Sequence, residues 1–292
     1  MYEQNELLYE NSAGEVIDLR QEPIWAQELE TILSAKWDYA TQSAQYGTGR
    51  IREFYRGTQE KSLKLAVMAD DQASLDAIVD RLMGIVEHDI RHKQPGRLWR
   101  YGSYMNCYII AHEYAEYEEL YDATDWTVKI VAEDPVWIEE ETISIGILDT
   151  SSMTDGKQYS DTLYCYPYKY IDTETSVRHK IDHYAPFDFR MVAYGPAAEV
   201  NVTINGHQYY VNYAVETGEI MIIDSREAVP PEKHAYIVRS DGTEVNVFNF
   251  RSASSLLLQK IEPGNLVINY SRLYGIDLTL YKRRATPRWA PA

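Results

Sequence analysis

The sequence predicts a mainly β protein, with an α+β N-terminal domain that contains one long helix and an all-β C-terminal domain. Short apolar runs between turn residues recur along the chain, one stretch has the period of a helix, and composition changes near the middle. Residues 1–150 hold 13 Lys and Arg against 29 Asp and Glu, whereas the rest of the chain holds 15 against 16. We therefore expect two domains, 1–148 and 162–292, joined by a linker at 149–161 that is rich in Ser, Thr and Asp.

A long helix is predicted at residues 72–92. Asp71 is a suitable N-cap, because its carboxylate can accept hydrogen bonds from the first free N–H groups of a helix. Apolar residues then recur at steps of three and four until Pro95-Gly96 ends the pattern. They form one stripe: Leu75, Ile78, Val79, Leu82, Ile85, Val86 and Ile90. The opposite face carries Asp76, Asp80, Arg81 and Glu87.

Strands are predicted through most of the remaining chain. In the N-terminal domain they are Glu6–Tyr9, Val16–Leu19, Arg50–Tyr55, Ser62–Met68, Leu98–Tyr101, Met105–Ala111 and Trp126–Ala132. In the C-terminal domain, Asn205-Gly206 between two apolar runs is a strong hairpin signal. Further strands there are Glu219–Ile223, Ala235–Val238, Thr243–Phe250, Leu266–Tyr270 and Ile276–Tyr281. Turns spaced about every 8–12 residues indicate a β-sandwich.

Charge and composition disfavour several classes of protein. With 28 Lys and Arg against 45 Asp and Glu, the net charge is −17, which opposes binding to nucleic acid or to an anionic membrane. Two cysteines, Cys107 and Cys165, are too few for a disulfide framework and suit a reducing compartment. The first residues lack a secretory signal, and no apolar run approaches the roughly 18 residues of a membrane span.

Two histidine pairs are candidate metal ligands. His88 and His92 share a helix face, and the residue directly after His88 is the acidic Asp89, as in a zinc-protease helix, but Asp is one methylene shorter than the usual Glu and no third ligand is evident. The alternative is that cationic groups near a helix C-terminus stabilise its dipole. His179 and His183 have the same spacing in a segment without helical periodicity, where a surface loop is the alternative.

Other motifs do not make a catalytic constellation. Glu113, Glu116, Glu118 and Glu119 are interspersed with tyrosines. A carboxylate pair for sugar hydrolysis is one interpretation, and we favour the other, a solvated loop or a contact surface. The run from Asp149 to Asp155 does not match a calcium loop. The chain has no phosphate-binding glycine loop and no nucleophile elbow, and the patterns around both cysteines indicate packing. We therefore predict no catalytic, cofactor-binding or metal residues and no enzyme activity.

A succession of segments carries a family resemblance: Glu133–Trp137, the Tyr-Pro-Tyr-Lys-Tyr stretch at 166–170, Phe187–Pro196, Val202–Val211, Gly218–Arg226, Asp241–Thr243, Phe248–Arg251, Gln259–Gly264 and Arg283–Trp289. Together with the long helix among strands, this pattern resembles the distal tail (Dit) proteins of long-tailed bacteriophages, particularly those of prophages in Gram-positive hosts. The resemblance covers most of the chain.

The resemblance implies a structural protein of the tail tip, or baseplate, of a virion. In the family, an N-terminal domain that is β-sandwich or split-barrel-like closes a hexameric ring, and a galectin-like C-terminal sandwich lies outside it. The ring connects the tail tube protein to the tail hub and carries the receptor-binding protein or adhesin. The tail assembles in the cytoplasm of the bacterial host, DNA passes through the ring without specific binding, and no membrane is a partner.

The excess of acidic residues in the N-terminal domain suggests a role in the ring. An acidic channel repels DNA and keeps it sliding, so we expect several of the acidic residues in 1–145 to line the ring. The alternative is that they lie outside and promote solubility.

The alternative function for the chain is that of a carbohydrate-binding β-sandwich that recognises host glycans. Trp289 is the one tryptophan of the C-terminal domain, although its tyrosines can also stack on sugars.

Overall fold

The computed structural model describes residues 7–42, 49–114, 123–147 and 176–289. Within these ranges, no helix is long and apolar enough to cross a membrane. Several features singled out in the sequence lie outside the described residues: the linker at 149–161, the Tyr-rich stretch at 166–170, Glu116, Glu118, Glu119, Asp149, Asp155 and Cys165.

The chain divides into two compact units. Unit 1 comprises Met1–Glu139 and Arg283–Ala292, and unit 2 comprises Glu140–Lys282. By this division, the residues on both sides of the predicted linker belong to unit 2. The net negative charge is also shared more evenly between these two units than between two domains divided near residue 150. Unit 1 holds 16 Lys and Arg against 26 Asp and Glu, a net of −10, and unit 2 holds 12 against 19, a net of −7.

Unit 1 is an antiparallel β structure with one long helix. In chain order, its elements are β1 (Leu7–Glu10), β2 (Val16–Asp18), β3 (Arg20–Gln21), β4 (Ile24–Gln27), α1 (Glu30–Leu33), β5 (Asp38–Gln42), β6 (Arg50–Tyr55), β7 (Gln59–Met68), α2 (Gln72–His92), β8 (Gly96–Arg100), β9 (Ser103–Tyr114), β10 (Ala123–Ala132) and the start of β11 (Trp137–Ile145).

Strand β9 changes partner along its length. Its first half pairs with β8, which pairs with β1, and its second half pairs with β10, followed by β7, β4 and β3. Side chains from both series of strands share one core with α2. For the part of the chain that the structure describes, the predicted mainly β fold with a single long helix is confirmed.

Helix α2 has the predicted bounds and the predicted cap. It spans Gln72–His92, and the Asp71 carboxylate accepts a 2.7 Å hydrogen bond from the backbone N–H of Ser74. The predicted apolar stripe is wrong at its last position, because Ile90 is 43% exposed whereas its neighbour Asp89 is fully buried. Hydrogen bonds from Tyr9 and Ser12 to the Asp89 carboxylate account for this reversal. The buried apolar residues of the helix are Leu75, Leu82, Ile85 and Val86.

Unit 2 is a β-sandwich. Beyond the end of β11, its strands are β12 (Ser176–Ile181), β13 (Asp188–Tyr194), β14 (Val200–Ile204), β15 (His207–Val211), β16 (Ile220–Asp224), β17 (Ala235–Val238), β18 (Glu244–Asn246), β19 (Gly264–Asn269) and β20 (Ile276–Arg284). One sheet has the order β12-β19-β14-β15, and the other contains β18-β17-β16-β13-β20. Buried residues of both sheets form one core.

The turns of unit 2 test the hairpin predictions. Asn205 and Gly206 both have positive φ angles, 49° and 84°, and join β14 to β15 as a tight hairpin turn requires. The predicted strand Thr243–Phe250 is too long. It ends at Asn246, whose side-chain oxygen accepts a 2.9 Å hydrogen bond from the Phe248 backbone N–H, and a short 3-10 helix at Phe248–Phe250 follows.

Candidate interaction surfaces

Strands β5 and β6 form a two-stranded sheet of their own, which we call the arm (Asp38–Gln42 and Arg50–Tyr55). Among the described residues, neither strand pairs with any other strand. Every residue of β6 is exposed. The large exposed apolar side chains of the arm and its base are Trp37, Tyr39, Ile51, Phe54 and Tyr55. A concentration of this kind is typical of a protein–protein contact surface.

A β-bulge distributes the side chains of the arm between its two faces. Tyr39 lies opposite Phe54, with ring centroids 6.5 Å apart, and Thr41 lies opposite Ile51. The register shifts between these two pairs, because Arg52 is an extra residue of β6. Directly opposed residues point to the same face of a sheet. Tyr39, Thr41, Ile51 and Phe54 therefore share one face, which we call the apolar face.

Polar contacts hold the base of the arm against unit 1. The Arg56 guanidinium lies 3.9 Å from the centre of the Trp37 ring, a cation–π contact, and its Nη1 donates a hydrogen bond to the Pro135 carbonyl at 3.5 Å. Gln59 Nε2 donates a 2.9 Å hydrogen bond to the Lys36 carbonyl. The arm therefore extends from a fixed base.

The two histidines on helix α2, His88 and His92, are not arranged as a metal site. The two rings stack with centroids 4.1 Å apart, and His92 Nδ1 lies 2.8 Å from the His88 carbonyl oxygen. Asp89 is directed into unit 1, where it accepts hydrogen bonds from Tyr9 and Ser12. Within the described part of the chain, no three His, Cys, Asp or Glu side chains are grouped so as to hold a metal ion.

His179 and His183 have different partners. His179 Nε2 lies 2.7 Å from Glu141 Oε1, and Lys282 Nζ lies 2.5 Å from Glu141 Oε2. His183 contacts the ring of Phe187 at a centroid distance of 5.7 Å. Although burial by itself raises the pKa of Glu141, hydrogen bonds from Lys282 and His179 hold that pKa below its usual value. This cluster is an ion-pair network of unit 2.

Glu113 and Cys107, two further residues considered for catalysis, make contacts that stabilise the fold. Glu113 pairs with Lys129 across neighbouring strands, with a nitrogen–oxygen distance of 2.6 Å. Cys107 is buried in the core of unit 1, as its apolar strand pattern predicts. Burial raises the pKa of its thiol to about 12, so the group stays protonated and is a poor nucleophile.

A polar cavity lies in unit 2. Its volume is about 410 Å³, and its lining contains hydroxyls, amides and one carboxylate, from Glu199, Asn201, Thr203, Asn269, Tyr270, Ser271 and Tyr274. Hydrogen bonds fix part of the lining. Gln208 Nε2 donates to Asn201 Oδ1 at 2.9 Å, and the Tyr210 hydroxyl donates to Glu199 Oε2 at 2.8 Å. Trp289, by contrast, is exposed in unit 1.

Sequence reasoning missed both the arm and the polar cavity. Strand β6 is predicted with its observed bounds, but its partner β5 is not, because the short run Trp37-Asp-Tyr39 gives little signal. The polar cavity draws side chains from β14, β19 and the turn before β20, so no local spacing marks it.

Comparison with known proteins agrees with this architecture. No protein-family model matches the chain, and no curated protein does. Among solved structures, the Dit protein of phage SPP1 matches with a TM-score of 0.60 and 11% identity, over 95% of this chain and 99% of that one. The phage P2 baseplate in its activated conformation matches with TM-scores of 0.61 in the calcium form and 0.59 in the strontium form. These matches have 11% and 14% identity and each covers 97% of this chain and 99% of the other. The chain therefore has a Dit-like fold, as the resemblance of its sequence predicts.

Proposed function

We propose that this chain is a structural protein of a phage tail tip, in which six copies form a ring between the tail tube and the tail hub. The observation that carries the proposal is the extent of the fold match. It covers at least 95% of this chain and 99% of each solved chain, so both units take part rather than one widespread domain. The SPP1 protein is described as a paradigm of the hub adsorption apparatus in phages that infect Gram-positive bacteria.

The proposal assigns different partners to the two units. Unit 1, with its exposed arm, makes the ring and contacts the tail tube protein and the hub. Unit 2 lies outside the ring and offers a docking surface to a receptor-binding protein or adhesin. The role is structural, at the virion tail tip, after assembly in the host cytoplasm.

Imaging of purified tails tests this function. An antibody against unit 2 should label the end of the tail that is distant from the capsid, and cryo-electron microscopy should resolve six copies around the tail axis. Six copies of 33.8 kDa amount to about 203 kDa. An antibody against the tail tube protein, which should label the whole tube, is the control. Labelling on the capsid, or another symmetry at the tip, would contradict the proposal.

We further propose that acidic side chains of unit 1 line the channel of this ring. Six copies of a unit with a net charge of −10 bring together about −60 charges, and exposed charges interact over a Debye length of about 8 Å. An acidic wall repels phosphates and allows DNA to pass without binding. A neutral or basic channel wall in the assembled tail would rule this out.

The polar cavity favours a second candidate function, which is recognition of a neutral glycan by unit 2. Its lining has no Lys or Arg, so an anionic ligand is disfavoured, and its hydroxyls and amides match those of a sugar. Galactose, N-acetylglucosamine and rhamnose, tested by saturation-transfer NMR, are suitable probes. Binding that is lost in Thr203→Ala and Asn269→Ala but kept in Asn265→Ala, on the same strand outside the cavity, would support this function. No binding of any probe would exclude it for these sugars.

A further inference from the structure

The apolar face of the arm has no cover among the described residues. Tyr39, Ile51 and Phe54 are 58%, 52% and 60% exposed, although they lie side by side on one face. An isolated two-stranded hairpin is marginally stable in water, and its apolar face gains free energy when it is removed from solvent. The arm therefore has the properties of an element that is completed by a partner.

The bulge is what creates this face. Ile51 and Phe54 are three residues apart, and in a regular strand that spacing places side chains on opposite faces. The extra residue Arg52 restores Ile51 to the face of Phe54. The backbone irregularity thus gathers the apolar side chains of an exposed hairpin on one side, where a partner can bury them together.

Charge identifies the partner. From residue 41 to residue 52 the sequence contains Arg50 and Arg52 and no acid, and neither arginine makes an ion pair in the described structure. Without this segment, unit 1 holds 14 Lys and Arg against 26 Asp and Glu, a net of −12. The two acids of the arm, Asp38 and Glu53, lie nearer its base. Contact between the outer parts of two arms would therefore oppose these arginines, whereas contact between that part and the body of another unit 1 pairs opposite charges.

We propose that the apolar face of the arm docks on the acidic body of unit 1 in a second copy of this chain, with Arg50 and Arg52 at the edge of the contact. Because the arm and its acceptor are different surfaces, the contact is of the head-to-tail kind, which closes a ring when the rotation allows it. The inference rests on the proposed function and specifies the surface through which the ring closes.

Site-specific photocrosslinking of the full chain tests the contact. Phe54→p-benzoylphenylalanine places a photoreactive group on the apolar face, and Tyr184→p-benzoylphenylalanine, at an exposed tyrosine of unit 2, is the matched control. Both variants are irradiated as concentrated purified protein and in purified tails. We expect the Phe54 probe to give a product of about twice 33.8 kDa that contains only this chain. Arg50→Glu with Arg52→Glu should lower the yield at least fivefold, whereas Arg50→Lys with Arg52→Lys should not.

The outcomes separate the two proposals. If tails contain a ring of this chain but the Phe54 probe gives no dimer, or crosslinks another tail protein instead, the inference is overturned and the proposed function stands. If the chain is missing from tails, the proposed function fails, and the result with purified protein still decides the inference. A dimer formed equally well by the charge-reversed variant would overturn the assignment of an acidic acceptor.

Discussion

The hydroxyl of Tyr9 donates a 2.6 Å hydrogen bond to Oδ2 of Asp89, and both side chains are fully buried. The backbone N–H and the hydroxyl of Ser12 each donate to Oδ1 of Asp89 at 2.7 Å. A carboxylate with three donors tolerates burial that an unpaired one does not. Burial also raises the pKa of Tyr9, so its hydroxyl remains a donor. This network joins β1 and the residues that follow it to the last turns of α2.

Tyr9→Phe should destabilise the protein by about 1–3 kcal/mol, because the buried Asp89 loses one donor while the ring still fills its site. The midpoint of urea denaturation, with circular dichroism as the signal, measures the effect. Tyr55→Phe, at an exposed tyrosine of the arm, is the control and should leave the midpoint unchanged. Equal midpoints for the two variants would show that the hydrogen bond does not contribute to stability.

Gly96 lies against the same network and has no room for a side chain. A Cβ there would be 2.4 Å from the Tyr9 hydroxyl oxygen and 2.6 Å from Asp89 Oδ2. Gly96→Ala should therefore cost about 3 kcal/mol, because the hydrogen-bonded pair must move apart. At Gly57 the corresponding Cβ meets nothing within 4 Å, so Gly57→Ala is the matched control. A loss of stability that is the same at both glycines would contradict this account.

The helix and the two-sheet sandwich were predictable from sequence, whereas Asp89 and the apolar face were not. For α2, the N-cap residue, the helical period of the apolar residues and the terminating Pro-Gly pair all predict the observed bounds. The turn at Asn205-Gly206 follows from the ability of these two residues to adopt positive φ angles. The partners of Asp89 lie 80 and 77 residues away, so periodicity assigned the inward position to Ile90. The apolar face depends on a bulge, which changes the alternation of a strand without a local signal in the sequence.

The ion pairs of Glu141 predict a dependence of stability on pH. Since its pKa is lowered in the folded state from a usual 4.5, the stabilisation is fully present above about pH 5 and is lost as pH falls through the folded pKa. Glu141→Gln should cost about 1.5–3 kcal/mol at pH 7, because Lys282 and His179 lose a charged acceptor, and the cost should shrink as the pH is lowered below 5. Chemical denaturation at several pH values measures this. Glu262→Gln, at an exposed glutamate of unit 2, should show neither effect.

A single proteolytic cut at 149–161 should leave two fragments that remain together. Ile143 and Ile145 precede this segment but belong to the core of unit 2, and Arg283–Ala292 follows it but belongs to unit 1. Within unit 1, Arg288 pairs with Glu139 at 2.8 Å. Size-exclusion chromatography under native conditions should therefore give one peak that contains both fragments. Separation into two folded fragments would instead favour domains that end at the linker.

We expect the first half of α2 to be the acidic acceptor for the arm. Between residues 65 and 80 the chain carries Asp70, Asp71, Asp76 and Asp80 and no Lys or Arg, and all four aspartates are exposed. None of them makes an ion pair in the described structure. In a head-to-tail contact, Asp76 and Asp80 of one copy would then face Arg50 and Arg52 of the next.

Reversal of charge on either side should weaken assembly, and reversal on both sides should restore it. Asp76→Lys with Asp80→Lys should lower the association constant about tenfold, since each exposed pair changes from attraction to repulsion. Combination with Arg50→Glu and Arg52→Glu in the same chain should recover most of that loss, because opposite charges face each other again. Sedimentation velocity of the full chain at low and high salt measures both effects, which salt should diminish. Glu216→Lys with Glu262→Lys, in unit 2, makes the same change in net charge and should alter association much less. If that control weakens assembly as strongly, net charge rather than a specific contact governs association. If the variant with all four substitutions still associates weakly, the acceptor lies elsewhere on unit 1.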